Sequence, residues 1–186
     1  MSERVCPWWI GYLLASPLRE WMGRDATEIL RSYVREGMTV LEPGPGMGFF
    51  TPPMAALVGR AGRVIAVDLQ PKMLASLKRR AAKAGLLDRI ELRLTAADRL
   101  GIDDLTGKID FTLAFSVVHE FPDDNKFFRE VAAASKPGAQ LLFAEPSRHV
   151  NLKKFEDELN AAHAGQFTIS ERPSIPRSHA ALLARK

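Results

Sequence analysis

The sequence predicts a doubly wound α/β fold: a mostly parallel seven-stranded sheet, helices on both faces, ending in an antiparallel hairpin. Three observations carry this. From residue 38 onward, short apolar runs alternate with segments of helical periodicity, the pattern of βαβ units. Two runs, DFTLAFSVV (110–118) and AQLLFAE (139–145), are almost continuously apolar, as strands buried on both faces are. The last two, FTISE (167–171) and HAALLAR (179–185), are joined only by RPSIPRS. A parallel crossover needs roughly a dozen residues, so these two strands run antiparallel.

The elements follow in order. MTVLE (38–42) is a strand, followed by a glycine turn and a helix ending near Gly59. Pro52 and Pro53 fall early in that helix, and proline is tolerated only in a first turn. Thr51 is therefore expected to cap a late-starting helix, with 46–50 irregular. RVIAVDL (63–69) is the second strand. In PKMLASLKRRAAKAG (71–85), Met73, Leu74, Leu77, Ala81 and Ala84 recur at helical spacing, and Gly85 follows as a cap. IELRLTA (90–96) alternates strictly and fits an edge strand. A helix near 124–135, with Asp123 or Asp124 as its cap, is ended by Lys136-Pro137-Gly138. NLKKFEDELNAAHAG (151–165) is a further helix.

Residues 1–37 differ in character. Trp8, Trp9, Tyr12, Leu13, Leu18, Trp21 and Met22 form a dense apolar cluster broken by Pro7 and Pro17. DATEILRSYVREG (25–37) reads as a helix with Asp25 as N-cap and Gly37 beyond its end. The expected organisation is an N-terminal aromatic-rich lid and helix over 1–37 and a single globular unit over 38–186.

Composition narrows the class. The chain has 186 residues, 46% hydrophobic and 26% charged, enough to bury a real core. Its net charge of +4 permits an anionic partner without requiring one. Cys6 is the single cysteine, which excludes an intrachain disulfide and makes the cytoplasm the default compartment. No apolar stretch reaches the ~18–20 residues of a membrane span. WWIGYLLA (8–15) lacks the basic flank and cleavage site of a signal peptide. No metal-ligand set is expected.

The chemistry concentrates in VLEPGPGMGFFT (40–51), where Glu42 precedes Gly44, Gly46 and Gly48. Open parallel sheets bind ligands beyond the carboxyl ends of their strands. Glycines let the backbone turn there and approach a ligand closely, although glycine turns also serve merely as connections. Asp68 ends the second strand, where an acidic residue can accept hydrogen bonds from ribose hydroxyls; a helix cap is the competing reading. Asp98 follows the third strand, and its competing reading is a cap or turn residue. The dinucleotide fingerprint G-x-G-x-x-G would need a glycine at Phe49, and no G-K-[ST] follows to make a P-loop. Pro43 and Pro45 remove backbone donors that a diphosphate would need. A nucleoside ligand without phosphates fits better.

With these residues in view, 38–186 resembles the class I S-adenosylmethionine-dependent methyltransferases. Glu42-x-Gly44-x-Gly46-x-Gly48 is similar to the family's first motif. Asp68 matches its ribose-binding acid, Ala97-Asp98 its adenine-contacting pair, and Ser116 its fourth motif. KPGAQLLFAEP (136–146) resembles the small-molecule branch, and the closing hairpin is a family hallmark. The resemblance implies a Rossmann-like sheet and S-adenosylmethionine as cofactor. It further implies that Glu42 orients the methionine end, that the glycine loop runs beneath it, and that Asp68 and Leu69 hold the nucleoside.

Methyl transfer from a sulfonium needs mainly an in-line nucleophile and exclusion of water. A base is needed only if the acceptor arrives protonated. His119 and Glu120, in SVVHEFPDD (116–124), are candidates for base and substrate contact; a loop histidine bonded to backbone is the bland alternative for His119. Trp8, Trp9 and Tyr12 are candidates to line an acceptor site, against a packing role. The expected partner is a small-molecule acceptor, on a monomer or homodimer, and not a nucleic acid. Lys78-Arg79-Arg80 is more often a solvated face, and FSVV stands where RNA adenine methyltransferases carry N-L-P-Y. An RNA methyltransferase and a non-catalytic nucleoside-binding scaffold are the alternatives.

Overall fold

Two prolines set where the helix after the first strand begins. The computed structural model describes residues 26–186, so Trp8, Trp9, Tyr12, Cys6 and the proposed Asp25 cap lie outside the described residues. The first described element is α1 (Ala26–Arg31), shorter than the helix expected over 25–37. The chain turns after Arg31, with Val34 N donating to Leu30 O at 2.9 Å. The Arg35 guanidinium donates to the carbonyls of Arg31 (2.7 Å) and Ser32 (2.9 Å), satisfying groups that a helix end leaves open. Strand β1 (Thr39–Pro43) leads into the glycine turn, and α2 (Thr51–Leu57) starts late, its prolines in the first turn. One detail is corrected: the N-cap is Phe50, and the Thr51 hydroxyl bonds elsewhere, as described below.

The chain divides into two compact units, the first ending at Thr95 and the second running from Ala96 to Lys186. The first unit carries β1, β2 (Arg63–Asp68) and β3 (Ile90–Leu94) in parallel register, with Glu42 opposite Ala66 and Asp68 opposite Leu94. The helix α3 (Pro71–Lys83) buries Met73, Leu74, Leu77 and Ala81 and leaves Lys78, Arg79 and Arg80 exposed. Gly85, at φ 68°, closes it, with Leu86 N donating to Ala81 O at 3.0 Å. As its alternation predicts, β3 is the outermost strand of the sheet. Along it, Glu91 pairs with Arg93 at 2.6 Å and with Arg63 of β2 at 3.9 Å.

The second unit carries β4 (Ile109–Phe115), α4 (Asp124–Ala134), β5 (Ser135–Pro146), α5 (Leu152–Ala164), β6 (Phe167–Glu171) and β7 (Ser178–Arg185). Asp123 caps α4 through Lys126 N, and Asn151 caps α5 through Lys154 N. Lys136-Pro137-Gly138 does not separate helix from strand as expected. Ser135 is already extended, and β5 begins there. The register with β4 then jumps, from Ile109 opposite Ser135 to Phe111 opposite Gln140, so the proline and glycine sit in a bulge, a position that tolerates them. Strand β7 runs antiparallel to both β5 and β6. Phe127, Phe128, Phe143, Phe155 and Phe167 are fully buried, with Phe128 edge-on to Phe143 at 5.5 Å and Phe143 stacked on Phe155 at 5.0 Å. The seven strands follow the sheet order β3-β2-β1-β4-β5-β7-β6, with the antiparallel hairpin at one end. Among the described residues, no helix is long and apolar enough to cross a membrane.

Candidate active site

The glycine turn of the first unit folds as its composition dictates. Gly44, Gly46 and Gly48 have φ of 64°, 55° and 83°, a region where a side chain is strained. At Gly48 a Cβ would also lie 2.4 Å from Leu77 Cδ1, so α3 packs directly on the backbone there. At Gly46 a Cβ would meet no protein atom within 4 Å; the space beyond that backbone is open.

Asp68 ties this turn to the end of β2. Its Oδ2 accepts from Gly46 N at 3.2 Å and its Oδ1 from Gln70 N at 2.8 Å. Gln70, not Asp68, is the N-cap of α3. Asp68 is buried, and burial pushes its carboxyl up to about 6 against the lowering effect of these N–H groups. Leu69, beside it, is exposed. Glu42, ending β1, is also buried and accepts the Thr51 hydroxyl at 2.6 Å. Burial pushes Glu42 up to about 8; the Thr51 bond lowers it, and the negative charge of Asp68 raises it further. Two buried carboxyl groups, neither with a cationic partner among the described residues, thus frame an open glycine backbone.

These features fit a nucleoside bearing a cationic amino-acid end. Such a ligand would find acceptor oxygens at Asp68 and, at Glu42, a buried carboxyl that a nearby ammonium group would draw into its anionic form, and Pro43 and Pro45 leave the turn poor in donors for phosphate.

In the second unit, Ala97 and Asp98 lie in an exposed turn, so of the two structural readings open for Asp98, helix cap or turn residue, it is the turn that is observed. Lys126 Nζ donates to the Asp98 carbonyl, and its ammonium is 3.9 Å from the Asp98 carboxylate. Ser116, just past β4, has φ of 58° and donates its N–H to Ala144 O at 2.7 Å. A non-glycine residue held there costs on the order of 1–3 kcal/mol and marks a constrained site.

His119 lies in a single 3₁₀ turn, Val118–Glu120. Its ring partner is not backbone but a carboxylate: Nδ1 is 2.5 Å from Oε2 of Glu145, the residue near the end of β5. Glu145 is wholly buried, as is Glu158 of α5, and neither was singled out in the sequence. The signal was present: β1, β2 and β5 are apolar runs that each reach a carboxylate at the carboxyl end (VLE, AVD, FAE). Burial pushes Glu158 up to about 7, helped by the Glu145 charge and opposed by Lys154, whose Nζ lies 3.4 Å away. Glu120 shares the turn with His119 and is half-buried.

The family described as "Methyltransferase domain" matches residues 41–143. A ubiquinone/menaquinone biosynthesis C-methyltransferase UbiE from Hydrogenovibrio crunogenus is 30% identical over 125 residues, covering 67% of this chain and 48% of that relative. The chain therefore spans about half the length of the curated relatives it matches. A SAM-dependent methyltransferase from Aquifex aeolicus superposes with a TM-score of 0.84 over 97% of this chain and 98% of its own, at 23% identity. A putative rRNA-methylase from Clostridium thermocellum gives 0.66 over 87% and 95%, at 18% identity. At such identities these two likenesses speak for the fold.

Proposed function

Because the chain belongs to the class I S-adenosylmethionine-dependent methyltransferase family, we propose that it transfers a methyl group to a small-molecule acceptor by in-line displacement. The observation that carries this reading is the pair of buried carboxyl groups, Glu42 and Asp68, framing a glycine turn whose backbone faces open space at Gly46. S-adenosylmethionine, when bound, supplies a methyl group already activated on a sulfonium. In this reading Asp68 accepts ribose hydroxyls in exchange for the Gly46 N–H it now accepts. Glu42, held by Thr51, offers the counter-charge for an ammonium group. Leu69, beside Asp68, is a candidate to flank the base. Trp8, Trp9 and Tyr12 are candidates, on their sequence alone, for contact with an apolar acceptor.

A small-molecule acceptor is supported by the relatives named for ubiquinone and menaquinone biosynthesis. The exposed row Lys78, Arg79 and Arg80 on α3 favours a second reading, in which the acceptor is RNA. Calorimetric titration with S-adenosylmethionine, with NAD as control, tests the cofactor. Binding is expected for the first alone, weakened about tenfold or more in Asp68→Ala, the loss expected when hydrogen bonds to a charged acceptor are removed. Transfer of labelled methyl groups to small phenols but not to RNA supports the first reading. RNA methylation that falls steeply with salt supports the second. No cofactor binding by the folded protein refutes both.

A further inference from the structure

Glu145 divides its two oxygens between two tasks. Oε1 accepts the backbone N–H groups of Val118 (2.8 Å) and His119 (3.2 Å), holding the turn after β4. Oε2 faces His119 Nδ1 at 2.5 Å. An ionised carboxylate can only accept, so Nδ1 carries the hydrogen and the neutral ring keeps its lone pair on Nε2. The carboxylate is fully buried, while the histidine side chain keeps 22% of its surface exposed. The turn stands beyond the carboxyl end of a parallel strand, the end at which such sheets bind ligands.

We propose that His119 and Glu145 form the proton-accepting pair for the methyl acceptor, and that the acceptor is therefore a phenol or enol. Such a molecule becomes nucleophilic on losing an O–H proton, unlike an amine or a thioether that attacks with a free lone pair. The proposal rests on the methyl-transfer reading above and names the acceptor class for it. In transfer to oxygen, the O–H proton passes to His119 Nε2 and the freed pair forms the bond to the methyl carbon. The pair of the carbon–sulfur bond stays with sulfur. The imidazolium, held beside Glu145, then releases its proton to water. At a ring carbon conjugated with the oxygen, one exchange is added: the ring C–H proton leaves as the oxygen regains its own. His119 accepts the proton; Glu145 is a positioning residue that sets the tautomer and stabilises the cation formed.

The charges around the ring favour this use. Burial alone lowers the histidine pKa, but the bond and charge of Glu145, with Glu120 from the same turn and Glu158 from α5, outweigh it and raise the net value. The His149 ring stacks against His119 at 6.5 Å. His179 of β7 stands opposite Glu145 in register. Lys154 offsets Glu158 at 3.4 Å and Asp124 at 2.5 Å.

Glu145→Gln separates chemistry from architecture. The amide oxygen still accepts the two backbone N–H groups, whereas the amide N–H₂ donates to Nδ1 and forces the hydrogen onto Nε2. Ring-nitrogen NMR of the full chain, assigned with His119→Gln, reads the tautomer without turnover. The expectation is Nδ1–H in the wild type, reversed in Glu145→Gln. Methyl transfer is then followed with hydroquinone, 1-naphthol and benzenethiol, the last ionised near neutral pH and needing no base. Both variants are expected to lose about 10²–10⁴-fold in kcat on the two phenols, with KM and S-adenosylmethionine affinity little changed and the thiol rate retained. Wild-type kcat on phenols should rise with pH through the His119 titration, and this limb should shift in Glu145→Gln. Equal losses on phenols and thiol, an unchanged rate in Glu145→Gln, or Nε2–H in the wild type overturns the proposal. Failure of the wild type to bind S-adenosylmethionine overturns instead the reading on which it rests.

Discussion

Replacing Glu42 by glutamine should flatten the pH dependence of stability of the cofactor-free protein. The carboxyl group is buried and its pKa is raised from 4.5 to about 8. The folded state therefore binds a proton over a range where the unfolded chain has released it, and stability falls as pH rises from about 4.5 to about 8. Integrated between pH 5 and 7.5, a shift of that size removes about 3 kcal/mol from the unfolding free energy, at about 1.4 kcal/mol per pKa unit. Glutamine carries no titrating proton, fills the same volume and still offers an oxygen to the Thr51 hydroxyl. Asp68, raised to about 6, and Glu158, raised to about 7, add losses of the same sign in both proteins. The difference between the two pH curves isolates Glu42. Urea unfolding followed by far-ultraviolet circular dichroism at four pH values between 5 and 7.5 measures it. Parallel curves for wild type and Glu42→Gln would refute the claim that a neutral carboxyl sits there. Cofactor affinity should fall in the same variant, because the counter-charge for the ammonium group is gone.

Other outcomes follow from the same geometry. A cationic ligand at Glu42 should draw the group back to its ionised form, so S-adenosylmethionine binding near pH 7 should release protons; the enthalpy of titration would then vary with the ionisation enthalpy of the buffer. Glu158→Gln should raise the unfolding free energy at pH 8 by on the order of 1–3 kcal/mol with little gain at pH 4.5, since the folded pKa of about 7 is elevated by burial; chemical denaturation at the two pH values checks this. Gly48→Ala should destabilise by roughly 1–3 kcal/mol, combining a left-handed φ of 83° with a Cβ 2.4 Å from Leu77 Cδ1. Trimming that neighbour in Gly48→Ala/Leu77→Ala should leave the two losses less than additive in a thermal-denaturation cycle.

Much of the architecture was legible because it follows from lengths and periods. RPSIPRS is too short for a crossover, and β7 indeed runs antiparallel to β6. Strict alternation at 90–94 places polar atoms on one face, and that strand is at the margin of the sheet. Pro52 and Pro53 announce a helix that cannot start before residue 51. The errors fall where long-range contacts override a local signal. Pro137 and Gly138 read as a break, but β4 offers pairing on both sides of them and the strand absorbs them as a bulge. Thr51 reads as a cap, but Glu42, nine residues earlier, captures its hydroxyl. The site was half legible. The glycines lie within the turn they build, and Asp68, 22 residues from Gly46, ends the next strand, where an acidic residue that binds ribose is expected. Glu145 is 26 residues from His119 and adjoins it only through the pairing of β4 with β5. Glu158 occupies the apolar stripe of α5 beside Phe155, Leu159 and Ala162, and a charge on a buried stripe is the sign by which it could have been found.

The row Arg63–Glu91–Arg93 has a meaning for how the molecule behaves in a crowded solution. An outermost strand presents unpaired N–H and C=O groups that can template the strand of another chain, and nearby charges obstruct this. Glu91 binds one arginine on its own strand and one on the next, so an incoming strand meets charged side chains along this margin. Leu94, 62% exposed at the end of the same strand, is the apolar side chain that this guard leaves for aggregation to exploit. Replacing Arg63 and Arg93 by neutral residues would therefore register first as slow clouding of a concentrated sample, before any change in the folding midpoint.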